Sequence, residues 1–306
     1  MVSSHPSLQA SNFFRKSRIW FLVTLLVALI ISFTFFWPLL KPVRFDGKRA
    51  YQHVLAQVQM GPRIPGSSAH STAVAYITSQ LQRLQWEITL QKATVSGIPI
   101  INIIAHRGSL SPRLILGAHY DTRQLADQDE RPDMRSQPVP GANDGASGVA
   151  VLLELARVLP KDTEDINLVF FDAEDQGEID GLPWIIGSSY YAQQLSALPE
   201  AVVIVDMIGD ADQQIYYERN SDVMLQEEIW QIAADLGFSN RFIPQPRFSM
   251  LDDHTPFLQR GIAAVDLIDF DYPYWHTTSD TPDKVSPESL AAVGRVLVQW
   301  IHQRGW

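Results

Sequence analysis

Charged side chains in this sequence recur where buried-looking apolar runs end. His119 and Asp121 follow RLILGA, Glu174 and Asp175 follow NLVFF, and Asp206 closes VVIV. Asp144 lies in GANDGASG, just ahead of an apolar-periodic segment. Asp252, Asp253 and His254 precede another helical start at Thr255, and His276 follows Trp275 in YWHTTSD. Each has an ordinary reading when taken alone. An H-x-D at a strand end can be a solvated loop, Asp144 and Asp253 can cap helices, Glu174 and Asp175 can be an acidic loop, and a lone His276 can be structural. Their recurrence at successive strand ends calls for a shared chemistry. The chain has no cysteine, so a metal would have to sit on His, Asp and Glu. Zinc held without thiolates takes about three such ligands and keeps one position open, where a substrate oxygen or water is polarised. An adjacent carboxylate pair suits that chemistry, because one member can hold the metal while its neighbour moves protons.

The elements that must position these groups alternate between extended and helical patterns. Strand-like runs cover residues 88–95, 101–106, 113–120, 167–174, 202–209, 214–219 and 263–268. Helical spacing covers residues 49–60, a segment capped by Ser68 or Ser71 and running to about 84, then 148–159, 188–195, 225–236 and 287–302. Near-continuous apolar strands separated by helices predict a sheet covered on both faces. The expected fold is a three-layer α/β/α domain with a central mixed, largely parallel sheet, and ligand sites in such folds collect at the carboxyl ends of the strands.

With 306 residues and 46% hydrophobic content, the chain can bury one large core. A formal net charge of -10, with no basic stripe after residue 50, argues against nucleic acid as a partner. Residues 19–37 form an almost unbroken apolar run, preceded by Arg15, Lys16 and Arg18 and followed by no small-residue cleavage site. That pattern predicts an uncleaved transmembrane signal anchor in the lipid bilayer. The expected organisation is a cytoplasmic tail (1–18), the span (19–37), a linker (38–50) and a catalytic domain (51–306) on the extracytoplasmic side.

From about residue 57 to residue 286 the motifs resemble, in order, those of the M28-type zinc aminopeptidase superfamily. The tail is similar to its glutaminyl cyclase branch. The blocks are HYD, GANDGASG, FFDAED, VDMIG, LDDHTPFLQRGI and YWHTTSDT. The resemblance implies one Zn2+ on Asp144, Asp175 and His276, with Glu174 as the proton shuttle. It also implies that Asp206 and Asp252 hold the substrate's nitrogens, that Trp275 and Trp184 wall the pocket, and that the substrates are N-terminal glutamines of peptides or proteins, closed to pyroglutamate with release of ammonia. Two-zinc aminopeptidases of the superfamily are the alternative, with His119 and Asp206 as second-metal ligands. Asp252 and the Trp275–His276 pair favour the cyclase branch. Asp175 stands where animal cyclases carry Glu, and Asp266 where they carry His; both departures, with LPWIIGSSYYA, look bacterial. A metal-free binding relative is a third reading, disfavoured because every ligand position is kept.

Overall fold

The structure, a computed structural model, describes residues 44–306. The predicted tail and membrane span lie outside the described residues, and among the described residues no helix is long and apolar enough to cross a membrane. Phe45–Trp306 forms one compact unit.

Eight strands are present among these residues: β1 (Glu87–Val95), β2 (Ile98–His106), β3 (Leu114–His119), β4 (Ile166–Phe171), β5 (Ala201–Asp206), β6 (Ile215–Tyr217), β7 (Phe242–Pro246) and β8 (Ala264–Ile268). Six build the main sheet in the order β1-β2-β4-β3-β5-β8. The four strands from β4 to β8 run parallel, while β2 pairs antiparallel with both β1 and β4. The helices are α1 (Gly47–Gln59), α2 (Ser68–Arg83), α3 (Ala146–Val158), α4 (Ile186–Gln194), α5 (Val223–Asp235), the single turn α6 (Thr255–Leu258) and α7 (Pro287–Arg304).

The period of two in a strand assigns each residue to a face. Leu114, Leu116, Phe170, Val203 and Val205 meet one core, shared with α1, α2, α3, α5 and α7. Ile115, Val169, Phe171, Val202 and Ile204 meet a second, closed by Tyr191 and Ala192 of α4 and Phe257 of α6. Every residue of β3, β4 and β5 is therefore buried, which is why these strands read as unbroken apolar runs. This is the three-layer mixed sheet that the pattern predicted.

Several local expectations shift. Asp46 caps α1, accepting from the Lys48 and Arg49 amides, so helix begins within the segment expected to be linker. Ser67, rather than Ser68 or Ser71, caps α2 by accepting from the His70 amide. The 214–219 run shortens to β6, which pairs in parallel with β7 in a separate two-stranded sheet.

Candidate active site

The parallel strands deliver their last residues to one edge of the sheet. His119 ends β3 and Asp206 ends β5, and the two meet with His119 Nε2 3.1 Å from Asp206 Oδ1. The same nitrogen lies 3.1 Å from Asp144 Oδ1. Just beyond β4, Asp175 Oδ1 is 2.9 Å from His276 Nε2, which is also 3.7 Å from Asp144 Oδ2. Two groups able to hold a metal result, His119–Asp144–Asp206 and Asp144–Asp175–His276, each with ligand atoms within 4.8 Å of one another. Asp144 belongs to both.

The ordinary reading of Asp144 as a helix cap does not hold. The N-cap of α3 is Gly145, without a side-chain bond, and Asp144 Oδ2 and Asp175 Oδ2 are buried with no hydrogen-bond partner. Asp253 does not cap α6 either; both its oxygens are likewise unpartnered. Buried carboxylate oxygens are costly unless something satisfies them, and a divalent cation between Asp144, Asp175 and His276 would do so. The donor set, imidazole and carboxylate without thiolate, fits zinc.

Backbone geometry holds the candidate ligands in place. Ala173 (φ 53°), Met207 (φ 46°) and His276 (φ 54°) are non-glycine residues in the left-handed region, a conformation that persists only where its surroundings enforce it. Here each carbonyl is held from another segment: Ala173 O by the Ile186 amide at 3.2 Å, His276 O by the Gln128 amide at 3.2 Å, and Met207 O by Asn143 Nδ2 at 3.1 Å. Gly145 has φ +86°, and a Cβ there would sit 2.8 Å from Asp121 O and 3.2 Å from the His119 ring, so only glycine lets this turn approach the ligands.

Residues whose roles the sequence did not reveal support the cluster. Asp121 accepts the Glu174 and Asp175 amides at 3.0 and 3.3 Å and lies 3.5 Å from His119 Nδ1. Asp280 accepts the Asn143 and Asp144 amides at 2.8 and 3.2 Å and the Tyr272 hydroxyl at 2.6 Å. Arg63, in the GPRIPGSS turn, is fully buried and donates to the carbonyls of Tyr120, Pro140 and Gly141. Its charge also sits beneath Asp121, Asp144, Asp175 and Asp280. Arg63→Met is expected to cost about 3–5 kcal/mol, since it leaves buried carbonyls and carboxylates uncompensated. A denaturation midpoint equal to that of the unaltered protein would contradict this role.

A pocket of about 170 Å3 opens over the cluster. Its lining combines the carboxylates of Glu174, Asp206 and Asp252 with the apolar side chains of Trp184, Trp275, Phe270 and Met250. Trp275 and Trp184 both stack on the His276 ring, with centroids 3.8 and 5.9 Å away. Gly177 makes room for Trp184, since a Cβ there would overlap its indole. Burial, then the nearby Asp175, Asp252 and Asp253, push the Glu174 carboxyl well above its usual range, although His119 opposes this. Behind Asp252 lies Asp266, which burial and the neighbouring Asp252, Asp206 and Glu218 likewise push up. His254 completes this layer, 3.2 Å from Glu218 and 3.8 Å from Asp266. The structure thus brings together every residue singled out from the strand ends and from YWHTTSD.

Comparison with known proteins places this arrangement. The family model "Peptidase family M28" matches residues 100–301. A glutaminyl-peptide cyclotransferase of the snake Boiga irregularis is 28% identical over 286 residues, spanning 77% of this chain and 75% of the relative. Among solved structures, the glutaminyl cyclase of Porphyromonas gingivalis is 33% identical with a TM-score of 0.80, over 85% of this chain and 99% of that one. A Zn-dependent exopeptidase from Parabacteroides distasonis is 31% identical with a TM-score of 0.81, over 86% and 100% of the two chains. The strand-end ligand cluster and the match over residues 100–301 lead to one conclusion: the chain belongs to peptidase family M28.

Proposed function

We propose that this protein is a glutaminyl-peptide cyclotransferase that closes N-terminal glutamine of peptides or proteins into pyroglutamate, using one zinc ion held by Asp144, Asp175 and His276. The observation that carries the reading is Asp252, a carboxylate outside both candidate metal groups that lines the same pocket as Glu174, Asp206, Trp184 and Trp275. The cyclases among the relatives support it. Bound there, zinc would supply Lewis-acid polarisation of the side-chain amide carbonyl.

The chain's own groups account for the remaining work. The substrate amine forms a C–N bond to the side-chain amide carbon, the original C–N bond breaks, and ammonia leaves. Glu174 accepts the proton lost by the amine and delivers it to the departing nitrogen, a role suited to a carboxyl that burial holds well above its usual range. Asp206 and Asp252 accept hydrogen bonds from the amide nitrogen and the amine. Trp184 and Trp275 hold the chain end close to attack geometry and displace water. A Gln-initiated peptide incubated with zinc-loaded protein and followed by mass spectrometry should lose one ammonia. Addition of water with release of a free amino acid would replace this reading with the aminopeptidase one.

That second reading has its own support, because His119, Asp144 and Asp206 form a second group able to hold a metal. Metal analysis separates the readings: one zinc per chain for the cyclase, two for the aminopeptidase, none for a binding relative. From the apolar run at residues 19–37, which lies outside the described residues, we propose an anchor that places the domain outside the cytoplasm at a membrane, and protease accessibility in intact cells would test this.

Without metal, burial and nearby carboxylates push Asp175 up to about 6 and Asp206 and Asp280 up to about 7. His276 rises to about 9, because burial is outweighed by Asp175, Asp127 and Asp144. All four groups bind protons more tightly folded than unfolded. Their contribution is therefore complete below the unfolded values and lost as pH climbs through the folded ones. The metal-free protein should lose stability as pH rises from about 4 to about 9. Zinc needs Asp175 and His276 deprotonated, so its stabilising effect should grow over the same range. Melting temperatures with chelator and with zinc, at pH 5 and pH 8, check both signs; a metal-free protein that is more stable at pH 8 would contradict the first.

A further inference from the structure

We infer that Arg123 and Asp127, at the start of the 123–140 loop, are positioning residues that lock the His276 imidazole with Nε2 toward the metal. The inference rests on the metal reading above and deepens it.

The two nitrogens of His276 face different neighbours. Nε2 points at Asp175 and Asp144, at 2.9 and 3.7 Å, whereas Nδ1 has Asp127 Oδ1 3.5 Å away. A metal-ligating imidazole is fixed in tautomer and orientation when a carboxylate accepts from its other nitrogen. Asp127 is the carboxylate placed to do so.

Asp127 is in turn held by Arg123, which donates Nε to Oδ1 at 3.0 Å and Nη2 to Oδ2 at 2.6 Å. This fork is bidentate and planar, so it sets the carboxylate's direction as well as its charge. The third arm of the guanidinium, Nη1, donates to the carbonyls of Asp175 and Gly177, both at 3.1 Å. The guanidinium plane also lies over the Trp184 ring, 4.7 Å from its centroid. One buried arginine therefore touches the backbone of one ligand, the carboxylate behind another, and the wall of the pocket. The same loop fixes the His276 backbone through the Gln128 amide, and Asp129 accepts the Thr278 amide at 3.0 Å. Trp275 and Trp184 stacked on the ring restrict its rotation, so the choice of which nitrogen faces the metal falls to Asp127.

The test compares full-length wild type with Asp127→Asn and Asp127→Glu. Zinc affinity is read by competition with a chromogenic chelator, and metal-free thermal stability is read in parallel. Asp127→Asn is expected to weaken zinc about ten- to a hundredfold, with Asp127→Glu recovering part of the loss. Because Asp127 is partly exposed, metal-free melting should change little; a purely structural residue would instead shift melting and leave zinc affinity where it was. Wild-type zinc affinity in Asp127→Asn overturns the inference while leaving the cyclase reading intact. Absence of zinc binding by the wild type itself overturns both.

Discussion

Glu174→Gln should retain zinc and lose turnover. Glutamine keeps the shape of the side chain but cannot carry a proton, so the proposed transfer from amine to leaving group is removed while the proposed zinc ligands stay in place. General acid–base groups contribute on the order of 10²–10⁴-fold, and a fall in kcat of that size is expected, with zinc content equal to wild type. The substitution also removes a carboxyl that its surroundings disfavour in charged form. Metal-free Glu174→Gln should therefore melt above wild type at pH 8, where raised carboxyls are a liability. Zinc analysis, steady-state kinetics on a Gln-initiated peptide and a melting curve give three independent readings. Loss of zinc in this variant would mean that Glu174 is a ligand and not the shuttle, and retained turnover would move the proton transfer to another group.

The parts of this site that were legible in the sequence share a physical cause. Strands β3, β4 and β5 are buried on both faces, so each reads as a closed apolar run with charges where it ends. His119 and Asp206 stand out as those end charges and Glu174 and Asp175 lie just beyond β4, whereas the first charge there, Asp172, is buried against His70 and the Ile101 amide and was passed over. Asp144 and His276 lie in loops and were singled out by local pattern and family resemblance, and only coordinates show that Asp144 leaves helix capping to Gly145. Residues that act through contacts distant in sequence left no such mark. Arg63 looks like an ordinary charge in a Gly- and Pro-rich turn, yet it is buried against three carbonyls more than fifty residues away. Asp127 and Asp280 are two of many acidic loop residues until the fold sets one behind His276 and the other beneath Asp144. β7 escaped notice because it contains two prolines and is mostly exposed, which removes both the apolar run and the alternation that reveal a strand.

The number of metal ions is decided by which ligands the metal needs, and the overlap of the two groups at Asp144 makes that testable. Asp144→Asn takes a ligand from both His119–Asp144–Asp206 and Asp144–Asp175–His276, so it should abolish stable zinc binding whether the protein holds one ion or two. The loss should exceed the roughly 10–100-fold typical of outer-shell changes, because a direct ligand is removed. The informative comparison is between His276→Ala and His119→Ala. With one zinc on Asp144, Asp175 and His276, His276→Ala should release the ion and its activity together. His119→Ala should keep the full single equivalent, its cost falling on turnover, since Asp206 then loses the imidazole 3.1 Å from its carboxylate. That imidazole opposes the rise of the Asp206 carboxyl, so Asp206 in the variant would hold its proton to higher pH and accept hydrogen bonds from substrate less well. With two ions the two alanine variants should instead each lose one equivalent. A wild type carrying two zincs, reduced to one by His119→Ala, would transfer the protein from the cyclase to the aminopeptidase reading. Asp252 would then have to be explained as a group that binds the free amine of a peptide awaiting hydrolysis.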